Sequence, residues 1–419
     1  MESLTQDAVL LLDPVKTGAN YKPAVRERGL AIVSVYTVEP TELHERWPTH
    51  ADGDDATLYA SQTADVLAKL AEQPYRIRGV VPAMESAVHL AEEVAERLGL
   101  PGNGTRLARA RRDKAEMRRV TQAAGVRVPE HHVVHSLDEV AAAAEKIGFP
   151  AILKPTTGAG SHGVTLLPNA RAARHLEDQE RRDLFGWEVT EWLVERYVRG
   201  REIAVNCFSF GGQHRVVDMW EYRRPDDADY DLPYWGSVQL DRDDPDWRPV
   251  AEFIETVLDS LEIRSGPSHT EVKFAADGVY LIETGARLPG GPITDQWTQN
   301  SDIRPFHDAL DFYVDDGAVP RLLQDAPVFH AVCGASAICN EERPGTLVAI
   351  RGLEAVNALP GVDKMLVTYQ PGDHVPVTRN TKTIPLGVWV SGATRDDVIR
   401  TLDEIRRTAA IELAGQLES

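Results

Sequence analysis

The sequence predicts an α/β (α+β) protein. A Rossmann-like parallel sheet comes first, two mixed α+β subdomains follow, and a small α+β unit ends the chain. Three observations carry this. Strands and helical stretches alternate through the first hundred residues, which argues for a parallel sheet. Hairpins with Gly-Gly and Asp-Gly turns then appear at 211–212 and 277–278. From about Pro327 the chain turns to short strands, Gly/Pro turns and one last helix.

In chain order, "AVLLLDP" (8–14), "AIVSVYT" (31–37) and "IRGVVPA" (77–83) read as buried strands, with 40–57 as a loop. "ESAVHLAEEVAERLGL" (85–100) has helical spacing and stops at "PGNG". Next comes a basic helix over 105–125, whose arginines 106, 109, 111, 112, 118 and 119 read for the most part as a solvated face. A helix over 137–148, two strands flanking "GAGSHG" and helical segments over 170–192 follow. The stretch 192–222 reads as strands, 225–247 as surface loop, 247–263 as helix and 268–285 as a hairpin. The last helix is expected over 395–414. These elements divide into units 1–104, 105–192, 193–325 and 326–419.

The chain has 419 residues and a formal charge of −20, so it repels a nucleic-acid backbone, and no nucleic-acid partner is expected. Three cysteines fit neither a zinc site nor a disulfide framework and point to a reducing compartment. No basic-apolar leader opens the sequence and no apolar run reaches the roughly 20 residues of a membrane span, so a cytoplasmic protein without a membrane partner is expected.

"AILKPTTGAGSHGVTLL" (151–167) contains G-x-G-x-x-G, the letters of a dinucleotide fingerprint. The context is wrong for one. After Gly163 comes Val-Thr-Leu-Leu, good strand sequence and poor helix-starting sequence. The loop therefore joins two strands. Its glycines let backbone N–H groups close over phosphate oxygens, Ser161 adds a hydroxyl, and Lys154 supplies a positive charge.

Glu271 in "HTEVKF" and Glu283 in "YLIETGARL" lie on strands joined by a tight turn and can face one side. Such a pair suits Mg²⁺, which takes one or two protein carboxylates plus phosphate oxygens. Arg287 lies four residues on, and its guanidinium suits a transferring phosphoryl group. "LPGG" (288–291) can present N–H groups to a small carboxylate. Glu85 opens a helix after a strand, where it caps the helix or meets a substrate amine. His131, His132 and His135 alternate faces on an extended chain and do not form a metal cluster. Trp220, Tyr222, Tyr234 and Trp235 read as packing residues or pocket lining, and Cys207 as a core thiol.

With these motifs together, the chain resembles the ATP-grasp carboxylate–amine ligases, and within them the L-amino-acid (dipeptide) ligase branch. The resemblance implies ATP and Mg²⁺ as cofactors, with two ions and Mn²⁺ as a substitute. It implies Lys114 and Lys154 as ATP-phosphate lysines and "GAGSHG", with Gly160, Ser161, His162 and Gly163, as a lid. Glu195 with the backbone of Tyr197 and Val198 would read adenine, and Glu202 the ribose. Glu271 and Glu283 become the metal ligands and Arg287 the arginine that steadies the γ-phosphate and an acyl phosphate. His269, Gly290 and Gly291 would meet the amino-acid substrate. Many relatives read Glu-x-Asn-x-Arg where this chain has Gly285, which removes one ligand of the second ion. The C-terminal "RPGTLVAIRGLEAVNALPGV" resembles the end domain of carboxylase-like ATP-grasp proteins and is read as a scaffold closing one side of the cleft. The implied activity is ATP-dependent amide formation between an amino acid and an amine, with a homodimer left open. The alternatives are a carrier-bound or non-amino-acid substrate, or a nucleotide-binding protein without chemistry.

Overall fold

The computed structural model describes residues 6–176, 182, 188–224, 235–314 and 317–415. In its first hundred residues β1 (Gln6–Leu12), α1 (Tyr21–Glu27), β2 (Ala31–Tyr36), α2 (Pro40–Arg46), β3 (Ala56–Tyr59), α3 (Thr63–Ala71), β4 (Tyr75–Pro82) and α4 (Val88–Leu98) alternate. The strands form a parallel sheet in the order β3-β2-β1-β4. The segment 40–57, expected as loop, holds α2 and the start of β3. Pro40 sits in the first helical turn and Leu43 is buried, while β3 pairs along β2.

The basic helix is shorter than expected. α5 runs over Lys114–Ala123, because Asp113 caps it by accepting from the Glu116 N–H. Residues 105–113 instead wind through turns that bury Arg111. β5 (His131–Val134), α6 (Val140–Ile147), β6 (Ala151–Pro155), β7 (Thr165–Leu167), α7 (Ala170–Arg174) and β8 (Trp192–Arg196) complete the next unit. Its sheet is antiparallel, in the order β5-β8-β6-β7. Thus "GAGSHG" does join two strands. Of the helix expected over 170–192, only α7 falls in the described residues as helix. Residues 177–181 and 183–187 lie outside them, and Trp192 already belongs to β8.

β9 (Arg201–Phe210), β10 (Gln213–Arg223), β11 (Gly236–Gln239), α8 (Trp247–Ser260), β12 (Ser265–Ala275), β13 (Gly278–Gly285), α9 (Pro292–Asn300), α10 (Pro305–Tyr313) and α11 (Arg321–Gln324) come next. The expected loop 225–247 contains β11, which pairs with β10; residues 225–234, Tyr234 among them, lie outside the described residues. Then follow β14 (Val332–Ile338), β15 (Gly345–Arg351), α12 (Leu353–Asn357), β16 (Val362–Val367), β17 (His374–Val375), β18 (Leu386–Gly392), α13 (Arg395–Thr408) and β19 (Ala410–Leu413). The helix expected to reach 414 stops at Thr408, and β19 turns back to pair with β15.

The second sheet of this half has eight strands in the order β13-β12-β9-β10-β11-β14-β18-β16. It crosses residue 326: β11 pairs with β14, so 326–415 extends the sheet begun by 193–325 rather than standing apart. Phe208, Trp220 and Trp297 are fully buried where this sheet meets the N-terminal unit through Val9, Leu11 and Ile32. The layers therefore bring one face of β12 and β13 opposite the β5–β8 sheet.

Candidate active site

A cleft of about 190 Å³ lies between the β5–β8 sheet and the eight-stranded sheet. Lys114, Lys154, Glu195, Glu202, Glu271 and Glu283 line it, as does the loop from Gly158 to His162. Lys114 opens α5. Its ammonium lies 3.1 Å from the Glu283 carboxylate and donates to the Gly158 carbonyl at 3.0 Å. Lys154, near the end of β6, lies 2.6 Å from Glu195, whose other oxygen accepts from Arg118 at 2.7 Å. Burial alone would raise the Glu195 pKa, but Arg118 and Lys154 overcome it and hold the carboxyl at about 2. Burial also pulls the Lys154 ammonium below its usual value, partly offset by Glu195. Glu202 on β9 behaves like Glu195. Burial pushes it up, but Arg224 and Lys273, the latter 2.5 Å away, bring it to about 2.

Glu271 on β12 and Glu283 on β13 are directly opposed in the antiparallel register, so both project from one face. Tyr222 donates to Glu271 at 3.0 Å and His269 lies 3.7 Å from the same oxygen. Burial raises the Glu283 carboxyl, but Lys114, Lys154 and Arg287 together more than compensate, leaving it below its usual value. Two adjacent carboxylates beside two lysines fit a Mg²⁺ ion that also takes phosphate oxygens. Among the described residues no group of three or more His, Cys, Asp or Glu side chains is arranged for a metal.

Arg287, just past β13 and close enough to help lower the Glu283 carboxyl, reaches the N-terminal unit. Its Nε lies 2.7 Å from Glu85, and its Nη1 donates to the Leu288 carbonyl at 2.8 Å. Glu85 stands in a short 3₁₀ turn after β4 and is 8% exposed. Gly290 and Gly291 precede α9, and Gly291, its N-cap, has φ +53°. His269 contacts Asn206 at 2.8 Å, and Asn206 donates to the buried Asp218 at 2.7 Å.

Residues 147–295 match the model of the ATP-grasp domain, and residues 340–414 match that of the L-amino acid ligase C-terminal domain 2. The chain is 43% identical over 362 residues to an alanine–anticapsin ligase of Bacillus subtilis (strain 168), covering 76% of this chain and 74% of that protein. The chain belongs to the ATP-grasp L-amino acid ligase family. An L-arginine-specific L-amino acid ligase of Bacillus subtilis is 23% identical over 342 residues, 80% of this chain and 79% of its own length. In fold, the L-amino acid ligase from Bacillus licheniformis superposes with a TM-score of 0.72 at 18% identity, over 98% of this chain and all of that one.

In this ligase, Gly285 has a steric reason. A Cβ there would lie 2.7 Å from the Glu85 carboxylate oxygen, so the residue that replaces the usual Asn makes room for Glu85 beside Arg287. The Glu195 carboxylate pairs with Arg118 and Lys154, and the Tyr197 N–H donates to the Pro150 carbonyl at 3.1 Å; Glu195, Tyr197 and Val198 all line the cleft. The arginines of the basic stretch are not all a solvated face. Arg111 and Arg118 are fully buried, Arg111 against Glu92 and Arg118 between Glu195 and the Ile282 carbonyl. Lys114, Met117, Arg118 and Thr121 are all buried on α5, a helical spacing that could have revealed this face. Tyr222 turns out to touch Glu271 of the opposed carboxylate pair, whereas Trp220 is core. Thr381, from the C-terminal region, lines the cleft with no local motif to announce it.

Proposed function

We propose that this ligase joins the carboxylate of one amino acid to the amine of a second, consuming ATP and releasing ADP and phosphate. A carboxylate is a poor electrophile. Transfer of the γ-phosphoryl group gives an acyl phosphate, which the amine attacks as the C–O bond to phosphate breaks. The observation that carries the reading is the convergence on one cleft of the opposed pair Glu271 and Glu283 and the ammonium groups of Lys114 and Lys154, with Arg287, held by Glu85, close enough to help lower the Glu283 carboxyl.

In this reading Lys114 and Lys154 lie along the phosphates, with Gly160, Ser161, His162 and Gly163 above them. Val198 meets adenine and Glu202 the ribose. Mg²⁺ on Glu271 and Glu283 supplies charge neutralisation for the phosphate oxygens. Arg287 faces the charge that develops on the transferred group. Glu85 is the anion available to an α-ammonium, and His269 with the N–H groups at Gly290 and Gly291 serves the second carboxylate. The unbridged Cys207, Cys333 and Cys339 support a reducing, cytoplasmic setting, and no described helix is long and apolar enough to cross a membrane.

The test is ATP-dependent phosphate release over pooled amino acids, with the amide product identified by mass. Arg287→Ala is expected to lose roughly 10³-fold in ligation while still binding ATP. Near-normal turnover by that variant would remove Arg287 from its role. Phosphate release without any amide would overturn the proposal itself.

A further inference from the structure

The loop over the cleft does not hang from its own sheet alone. The Thr381 N–H donates to the Gly160 carbonyl at 3.2 Å. Asn380 Nδ2 lies 3.4 Å from His162 Nδ1, and His162 Nε2 lies 3.1 Å from the Arg182 carbonyl. A carbonyl only accepts, so Nε2 carries the hydrogen and Nδ1 accepts from Asn380. The fit is close: a Cβ on Gly160, whose φ is +65°, would lie 2.6 Å from Thr381 Oγ1. Ser161 beside it is also left-handed, at φ +60°. The strain of a non-glycine residue there is of the same order as one net hydrogen bond, so an outside contact of that size decides which way the hairpin rests.

The turn that makes this contact is rigid. Asn380 and Thr383 form a capping box, Thr378 Oγ1 donates to the Thr383 carbonyl at 3.0 Å, and Thr378 exchanges hydrogen bonds of 2.8 and 2.9 Å with the Asn340 backbone. Asn340 follows β14, a strand of the sheet that carries Glu271 and Glu283. The hairpin is thereby referenced to the metal pair through the C-terminal region.

We infer that Asn380 and Thr381 are positioning residues that latch the 158–163 hairpin shut, so that the acyl phosphate meets the amine instead of water. The inference rests on the proposed ligase reaction. Without the latch, water attacks the acyl carbon, the C–O bond to phosphate breaks, phosphate leaves, and the proton of water passes to solvent. ATP is spent and the amino acid returns unchanged.

The readout is phosphate released per amide formed, which a merely structural residue would not move. Thr381 is the first residue of a short 3₁₀ turn and Asn380 before it is extended (φ −155°, ψ 173°), so proline fits at 381; it removes the N–H together with the threonine hydroxyl, and Thr381→Ala, which removes the hydroxyl alone, is its control. Thr381→Pro is expected to raise the ratio about fivefold, the factor one net hydrogen bond supplies, with an unchanged melting temperature. A folded variant with the wild-type ratio overturns the latch. Should that variant not fold, Gly160→Ala decides. It is expected to uncouple in the same way, and adding Thr381→Ala, which removes Oγ1 and keeps the N–H, is expected to bring the ratio back toward wild type. No recovery overturns the proposal. If the wild type makes no amide, the ligase reading fails separately. Proteolysis of the hairpin with Mg²⁺ and a non-hydrolysable ATP analogue still reads the latch: protection in wild type and cutting in Gly160→Ala support it, and equal cutting overturns it.

Discussion

Glu195 shows how a single carboxylate can hold two buried cations at the lining of a cleft. It neutralises Arg118, which is fully buried, and Lys154, which is nearly so, and Arg118 also holds the Ile282 carbonyl next to Glu283. Glu195→Gln leaves two buried cations short of an anion, a loss of roughly 3–5 kcal/mol in urea unfolding. Because the folded carboxyl lies at about 2, below its ordinary 4.5, this stability is present above pH 4.5 and is lost as pH falls toward 2. The wild-type and Gln proteins should therefore converge in stability at low pH; a constant gap would contradict the pairing. Gly285 makes a second residue-scale test. Its φ is not left-handed, so Gly285→Ala tests space alone. Displacing Glu85 from Arg287 should lower kcat for amide formation by about 10²-fold, the scale of a small misplacement at a reacting centre, with the KM for ATP little changed. The sequence displayed Gly285 as a missing ligand. Its use was hidden because Glu85 comes from two hundred residues away, and one chain does not show which distant side chain fills a gap.

Among the elements, α9 is the one whose placement the sequence concealed most. Its first turn follows Gly290 and Gly291, yet its anchor is Asp218 on β10. Among the described residues no cation pairs with that buried carboxylate. It accepts from Trp297 of α9, Trp220, and Asn206 of β9, each at 2.7 Å, and from Gln239 of β11 at 3.0 Å. Burial raises its pKa and the four donors oppose the rise. Asp218→Ala would leave several buried donors unpaired at roughly 1–3 kcal/mol each, so a loss of at least about 3 kcal/mol is expected by urea denaturation. Loosening α9 and, through Asn206, His269 should also raise the KM for the amino-acid substrates more than that for ATP. Local patterns were readable where an element's periodicity is its own: the alternating strands of the first sheet, the hairpin of β12 and β13, the two strands around "GAGSHG". They misled where tertiary pairing decides, as in β11 inside a Pro/Asp-rich stretch, or β19 where the C-terminal helix was extended too far.

At the scale of the molecule, the change in character near Pro327 marks a change of chain texture and not the edge of a sheet. β14 pairs with β11 through Gly236, Ser237 and Val238, and α13 packs so closely on β14 that a Cβ at Gly334 would lie 2.4 Å from Val398. Val238 is fully buried in that joint core. Ending the chain at residue 325 would uncover β11 as an open edge beside an apolar face, a combination that drives strand-to-strand association. The expected result is an aggregated product by gel filtration, although every proposed metal and phosphate residue is still encoded. A soluble, monodisperse 1–325 protein that binds ATP like the full chain would show that the C-terminal region is a separable scaffold after all. It would also leave the hairpin without Thr381, so the same protein, if active, should release phosphate with little amide. The two outcomes bear on different links: solubility on the shared sheet, coupling on the latch.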